Sequence, residues 1–102
     1  MKAVFIAFYQ AFYDEVIDIL DKNEIRGFTS WNEVQGRGTD DGEPHYGSHA
    51  WPTQNSALLT FVPDDKLKPL LQDIHKLDLT AEQQGVRAFA WNAEEMTDKS
   101  FR

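Results

Sequence analysis

The chain has 102 residues, 41% of them hydrophobic and 13% aromatic, with only six Gly and four Pro, a balance that fits one folded domain and excludes a disordered chain. Seventeen acidic and ten basic side chains give a net charge of -7, which repels phosphate backbones and anionic membrane surfaces and argues against a nucleic-acid binder. No Cys is present, which removes disulfides, thiolate metal clusters and cysteine nucleophiles, and no stretch approaches the roughly 20 apolar residues of a membrane span. The opening residues read as strand rather than as a basic and apolar leader, so the expectation is a soluble, cytoplasmic protein without direct membrane insertion.

Ala3 to Tyr9 (AVFIAFY) is a short run of aromatic and branched side chains and reads as the first strand. Phe12, Val16, Ile19 and Leu20 then recur at helical spacing, widened by Tyr13 and Ile17, with Asp14 and Glu15 where the helix dipole favours acids. Asn23 is the expected C-cap, and Arg26 to Gln35 returns to alternation as a second strand. From Gly36 to Asn55 the sequence is rich in Gly, Pro and charge and almost free of aliphatic side chains, which predicts a long loop of the kind that usually carries function. Ser56 to Val62 is the third strand. Leu67, Leu70, Leu71, Ile74 and Leu77 form the stripe of a second helix, with Asp64 or Asp65 as N-cap and Pro69 within the first turn or so. A polar turn from Thr80 to Gly85 leads to a fourth strand, Val86 to Asn92, and a polar tail from Ala93 that is expected to fray or lie over a neighbour.

The order strand, helix, strand, strand, helix, strand predicts an α+β fold: a ferredoxin-like βαββαβ sandwich, one domain over residues 1–102, with two helices on one face of a four-stranded antiparallel sheet. Two helices cover one face only, yet both faces of these strands are apolar. Val4, Ile6 and Phe8 alternate with Ala3, Phe5, Ala7 and Tyr9, and Leu58 and Thr60 with Leu59 and Phe61. Phe89 and Trp91 likewise alternate with Ala88 and Ala90. The second face is therefore expected to pack against other subunits, the alternative being that the loop or the tail folds across it.

The stretch Ile25 to Gly42 (IRGFTSWNEVQGRGTDDG) resembles the second strand and the start of the long T-loop in the PII signalling superfamily, whose members carry G-[hydrophobic]-T-x-x-E-V-x-G-x-G. Gly27, Phe28, Thr29, Glu33, Val34, Gly36 and Gly38 carry the likeness, with one additional residue before the Glu. The likeness implies a compact homotrimer, a T-loop-like segment over residues 36–55 and a regulatory role in which an adenine nucleotide is one candidate effector. The chain also departs from the pattern. Thr39, Asp40 and Asp41 follow the second glycine, and Thr80-Ala81-Glu82-Gln83-Gln84-Gly85 stands where nucleotide-binding members carry T-G-x-x-G-D-G-K. Most phosphate-cradling glycines are absent, leaving Gly85 and the nearby Arg87, so the chain resembles a divergent PII-like protein or a CutA relative.

Arg37 between Gly36 and Gly38 is the best anion candidate, since the glycines let a ligand approach the backbone while the guanidinium offers a bidentate fork. Thr29, Gly85 and Arg87 are expected to complete a cleft between subunits. In the loop, His45 and His49 with Glu43 could supply nitrogen and oxygen ligands to a divalent metal, although a spacing of four aligns side chains only in a helix and this stretch is a poor helix; solvated or loop-fixing histidines are the simpler reading. His75 lies beside the second helix's stripe, and Trp51 stands at the loop's end as a stacking residue or hinge. Trp31 is an anchor or part of the core, and Trp91 packs at the sheet or an interface. Ser48 next to His49 has no rigid support for catalysis, so an enzyme is not expected. Two functions stay open: a regulatory trimer that senses a small anion and presents residues 36–55 to a target such as a transporter or an enzyme, and a CutA-like divalent-metal-binding trimer.

Overall fold

Apolar alternation at period two and apolar stripes at helical period produce the elements in the expected order. In the computed structural model, which describes residues 1–34, 55–81 and 85–102, these are β1 (Lys2–Tyr9), α1 (Tyr13–Lys22), β2 (Thr29–Val34), β3 (Asn55–Val62), α2 (Asp64–Thr80) and β4 (Val86–Asn92). A short 3-10 turn, Gln10–Phe12, joins β1 to α1. The four strands form one antiparallel sheet in the order β2-β3-β1-β4, so each helix connection carries the chain past a neighbouring strand. This is the ferredoxin-like arrangement.

The core lies between the helices and one sheet face. Val4, Ile6 and Phe8 of β1, Leu58 and Val62 of β3 and Val86 of β4 meet Val16 and Leu20 of α1 and Leu70 and Ile74 of α2 in one cluster, closed by Ile25. Each large side chain removed from water there contributes about 1.5–3 kcal/mol. Asn23 links the two helices: its Nδ2 donates to the Ile19 carbonyl at 2.8 Å and to Asp73 Oδ2 at 3.0 Å. That amide, with Lys22 at 3.5 Å behind it, holds the Asp73 carboxyl below its ordinary value.

Helix α1 ends in a paired set of bonds. Glu24 N–H donates to the Asp21 carbonyl at 3.0 Å and Ile25 N–H to the Leu20 carbonyl at 2.8 Å, while the buried side chains of Leu20 and Ile25 join the same cluster. This is the Schellman arrangement, and its left-handed residue is Glu24, at φ 59°, where glycine is the usual occupant.

Boundaries differ from the sequence reading at several points: β1 begins at Lys2 rather than Ala3, and Thr80, read as the start of a turn, is the last residue of α2. β2 begins at Thr29 rather than Arg26, because the Gly27 carbonyl is bound by the Thr60 hydroxyl, at 2.6 Å, outside the ladder. Asn55 belongs to β3, not to the loop. Neither Asp64 nor Asp65 caps α2. Pro63, with φ -58° and ψ 151°, precedes the helix, and both acids fall in its first turn, where they favour the dipole without a capping bond. Pro69 therefore stands as the sixth residue of α2, beyond the first turn, and the helix forgoes one internal bond on its exposed side. After β4, Ala93 N–H donates to the Met1 carbonyl at 3.1 Å, and the tail has no helix or strand.

Relief of the left-handed strain at Glu24 is directly measurable. Glu24→Gly is expected to raise unfolding stability by about 0.5–1 kcal/mol, the local gain being partly offset by the freer unfolded chain. Urea unfolding checks this, with Glu24→Ala as the comparison that leaves the strain in place.

Candidate functional site

Residues opposite one another in antiparallel strands point to the same side, so the register defines the sheet face that the helices do not cover. Three rows cross it: Thr29–Leu59–Phe5–Phe89, Trp31–Ala57–Ala7–Arg87 and Phe61–Ala3–Trp91. Phe61, Phe89 and Trp91 are 53%, 57% and 51% exposed and Trp31 45%, so the tail does not cover them in the single chain. Small Ala3 and Ala57 are buried between them. The apolar second face expected from the alternation is thus present, and in one chain it is wet.

The candidate anion residues divide among three places. Thr29 is exposed at the start of β2, one edge of the sheet; Arg87 is exposed on β4, the other edge, opposite Ala7 and next to Gly85 and Val86. Three strand spacings, about 14 Å, separate those edges. One chain does not bring Thr29 and Arg87 together. Gly36, Arg37 and Gly38 lie outside the described residues, as do Glu43, His45, Ser48, His49 and Trp51 and with them the expected loop before Asn55. His75 is exposed on α2, and among the described residues no three His, Asp or Glu side chains stand together as metal ligands.

The edge strand that carries Thr29 and Trp31 is held by side chains as well as by its ladder. Its register is irregular between Trp31 and Val34, and the Asn32 carbonyl in that interval accepts from Ser56 Oγ at 2.6 Å and Gln10 Nε2 at 3.3 Å. Thr60 Oγ1 donates to the Gly27 carbonyl, two residues before the strand. Ser56 and Thr60 are both buried in β3, so their hydroxyls need these partners as much as the carbonyls do.

At the other edge the sequence reading passed over Asp78. Its Oδ1 accepts the Val86 N–H at 3.0 Å, and a Cβ added to Gly85 would stand 3.1 Å from the same oxygen. An available signal was an acid in the last turn of a helix that has no base there, where the dipole disfavours negative charge.

No family model matches this chain, and no curated protein matches it. Solved structures do. CPII, a nitrogen regulatory PII-like protein from Thiomonas intermedia, bound to ADP, AMP and bicarbonate, is similar with a TM-score of 0.70 at 19% identity, over 92% of this chain and 88% of that one. Its apo form gives 0.64 at 18% identity, over 88% and 87%. A PII-like signalling protein from Thermus thermophilus gives 0.67 at 21% identity, over 90% and 85%. At these identities the likeness establishes the fold, which is that of PII-like proteins, as the stretch around Gly27 to Gly38 led us to expect.

The side-chain hooks on β2 are testable on the folded chain. Replacing Ser56 by Ala and Thr60 by Val together is expected to lower stability by about 1–3 kcal/mol, since each hydrogen bond contributes about 0.5–1.5 kcal/mol net. Denaturant unfolding measures the loss, and faster amide exchange in β2 than in β1 would locate it at the edge.

Proposed function

We propose that this chain is a divergent PII-like regulatory protein that forms a homotrimer, binds a small anionic effector between subunits and presents residues 36–55 to a partner such as a transporter or an enzyme. The observation that carries the reading is the likeness, over nine-tenths of the chain, to CPII, whose structure holds ADP, AMP and bicarbonate. An adenine nucleotide or a small carboxylate or carbonate is accordingly the effector class. In this reading Arg87, an exposed base on an edge strand of an acidic protein, and Arg37, flanked in the sequence by Gly36 and Gly38, are the two cations that meet the effector, with Thr29 and Gly85 as the other binding residues. A net charge of -7 repels anions at long range, so binding depends on these local bases. The role is binding and presentation rather than catalysis.

The uncovered aromatic face supports the trimer. Leaving Phe61, Phe89 and Trp91 in water forgoes about 1.5–3 kcal/mol for each side chain fully buried. Because Thr29 and Arg87 occupy opposite edges, a head-to-tail ring is the arrangement in which one copy's β2 edge can approach the next copy's β4 edge. Light scattering at micromolar concentration is expected to return three times the 11.7 kDa chain mass, and Phe61→Asp to dissociate or unfold it. A monomer would remove the basis for a shared cleft.

Calorimetry tests the ligand. ADP, AMP, ATP, bicarbonate and 2-oxoglutarate are the probes, with heat expected from at least one. Arg37→Ala and Arg87→Ala should each weaken binding by roughly ten- to a hundredfold, the loss of a charge-assisted hydrogen bond. No heat from any of them, with zinc or copper binding that disappears in a His45 and His49 double variant, would favour the CutA-like alternative instead.

A further inference from the structure

We infer that Asp78 and Gly85 form a clasp that fixes the start of β4, and that Asp78 is thereby a positioning residue for anion binding through Arg87, a role that rests on the functional reading above. Asp78 sits in the final turn of α2, which contains no base, so its charge faces the negative end of the helix dipole. A carboxylate in an unfavourable place for its own helix stabilises something else, and here the partner is visible. Its Oδ1 takes the N–H of Val86, the first residue of β4, whose side chain is buried in the core opposite Phe8. Strand ends fray, and this strand is also an edge.

Gly85 completes the contact. Its φ lies outside the left-handed region, so glycine is not required there for backbone conformation. What the missing side chain provides is room, because a Cβ would come within 3.1 Å of the Asp78 carboxylate. Gly85, read from sequence as a remnant of a phosphate-cradling loop, thus has a second use: it lets a helix carboxylate reach the next residue's N–H. The following position is Arg87, held by the β1 register opposite Ala7 on the face the helices leave open. Fixing Val86 therefore fixes the backbone that carries the base. The negative charge of Asp78 itself opposes an anion nearby, so the useful property of the side chain is its acceptor oxygen, not its charge.

That distinction gives the test. The full-length chain and its Asp78→Ala, Asp78→Asn and Gly85→Ala variants are titrated with ADP and with AMP by calorimetry at fixed salt. Amide exchange at Val86 and light scattering are followed in parallel. Asp78→Ala is expected to speed Val86 exchange and to weaken binding roughly five- to tenfold with the oligomer intact, whereas Asp78→Asn, which keeps the oxygen, retains at least the original affinity. Gly85→Ala should weaken binding alone yet add nothing in the Asp78→Ala background, because both changes disturb one contact. If Asp78→Ala does not fold, Asp78→Ser, whose shorter side chain withdraws the acceptor from the Val86 N–H, carries the same comparison. Unchanged affinity in Asp78→Ala, or an equal loss in Asp78→Asn, overturns the positioning role while the functional reading stands. A wild-type chain that binds neither nucleotide, with Val86 exchange responding as described, overturns the role in binding of these nucleotides and leaves the clasp as a folding contact only.

Discussion

Two helices cover one face of a four-stranded sheet, and in this chain both faces are built of apolar side chains. On the covered side Val4, Ile6 and Phe8 are sealed against the helices; on the other Phe61, Phe89 and Trp91 stand more than half exposed beside Ala3 and Ala57. A small domain has little stability to forgo, so an open aromatic face of this kind is a strong constraint on what the chain does next. It also limits where a ligand can be held. The face is lined by rings and small side chains, and the candidate polar groups Thr29 and Arg87 sit at its two margins.

Those margins are secured in different ways. The β2 edge depends on hydroxyls from β3, since the Asn32 and Gly27 carbonyls are bound by Ser56 and Thr60. The β4 edge depends on a helix carboxylate that receives the Val86 N–H. In both cases a side chain from an adjoining element substitutes for backbone pairing at a place where the ladder stops or shifts. Edge strands are the parts of a sheet most easily lost or mispaired, and each of these contacts places a candidate binding residue within two or three positions of a fixed backbone group.

Most of the fold was legible because it depends on local period. β4 was read with its observed limits, Val86 and Asn92, since a polar stretch before it and a polar tail after it in the sequence bound an apolar run. Asn23 was legible as a cap from its residue type and position. The misread boundaries have longer-range causes. Arg26 to Phe28 alternates as a strand would, but whether it pairs depends on what β3 offers opposite, and Thr60 offers a hydroxyl at Gly27. Asp64 and Asp65 look like caps in isolation, yet the fixed backbone of Pro63 starts the helix one residue earlier and moves Pro69 inward. The site was less legible. Thr29 and Arg87 were found by their types, but their placement at opposite edges follows only from the strand order. Asp78 carried no motif, because its bond joins a helix end to a strand start eight residues on.

Charge ties these observations together. An acidic chain attracts few anions from a distance, and in 0.15 M salt its field fades within about 8 Å of the surface, so recognition of an anion falls to groups already in place at contact range. A guanidinium on a frayed strand end would spend much of its time displaced, and ordering it would be subtracted from each binding event. On the proposed reading, an acceptor oxygen at the root of β4 reduces that cost before an anion arrives, at the expense of a carboxylate in a poor position for its own helix. On the reading proposed above, the same logic makes a nearby acid compatible with an anion site: the order that Asp78 would add at Arg87 offsets what its charge would take away.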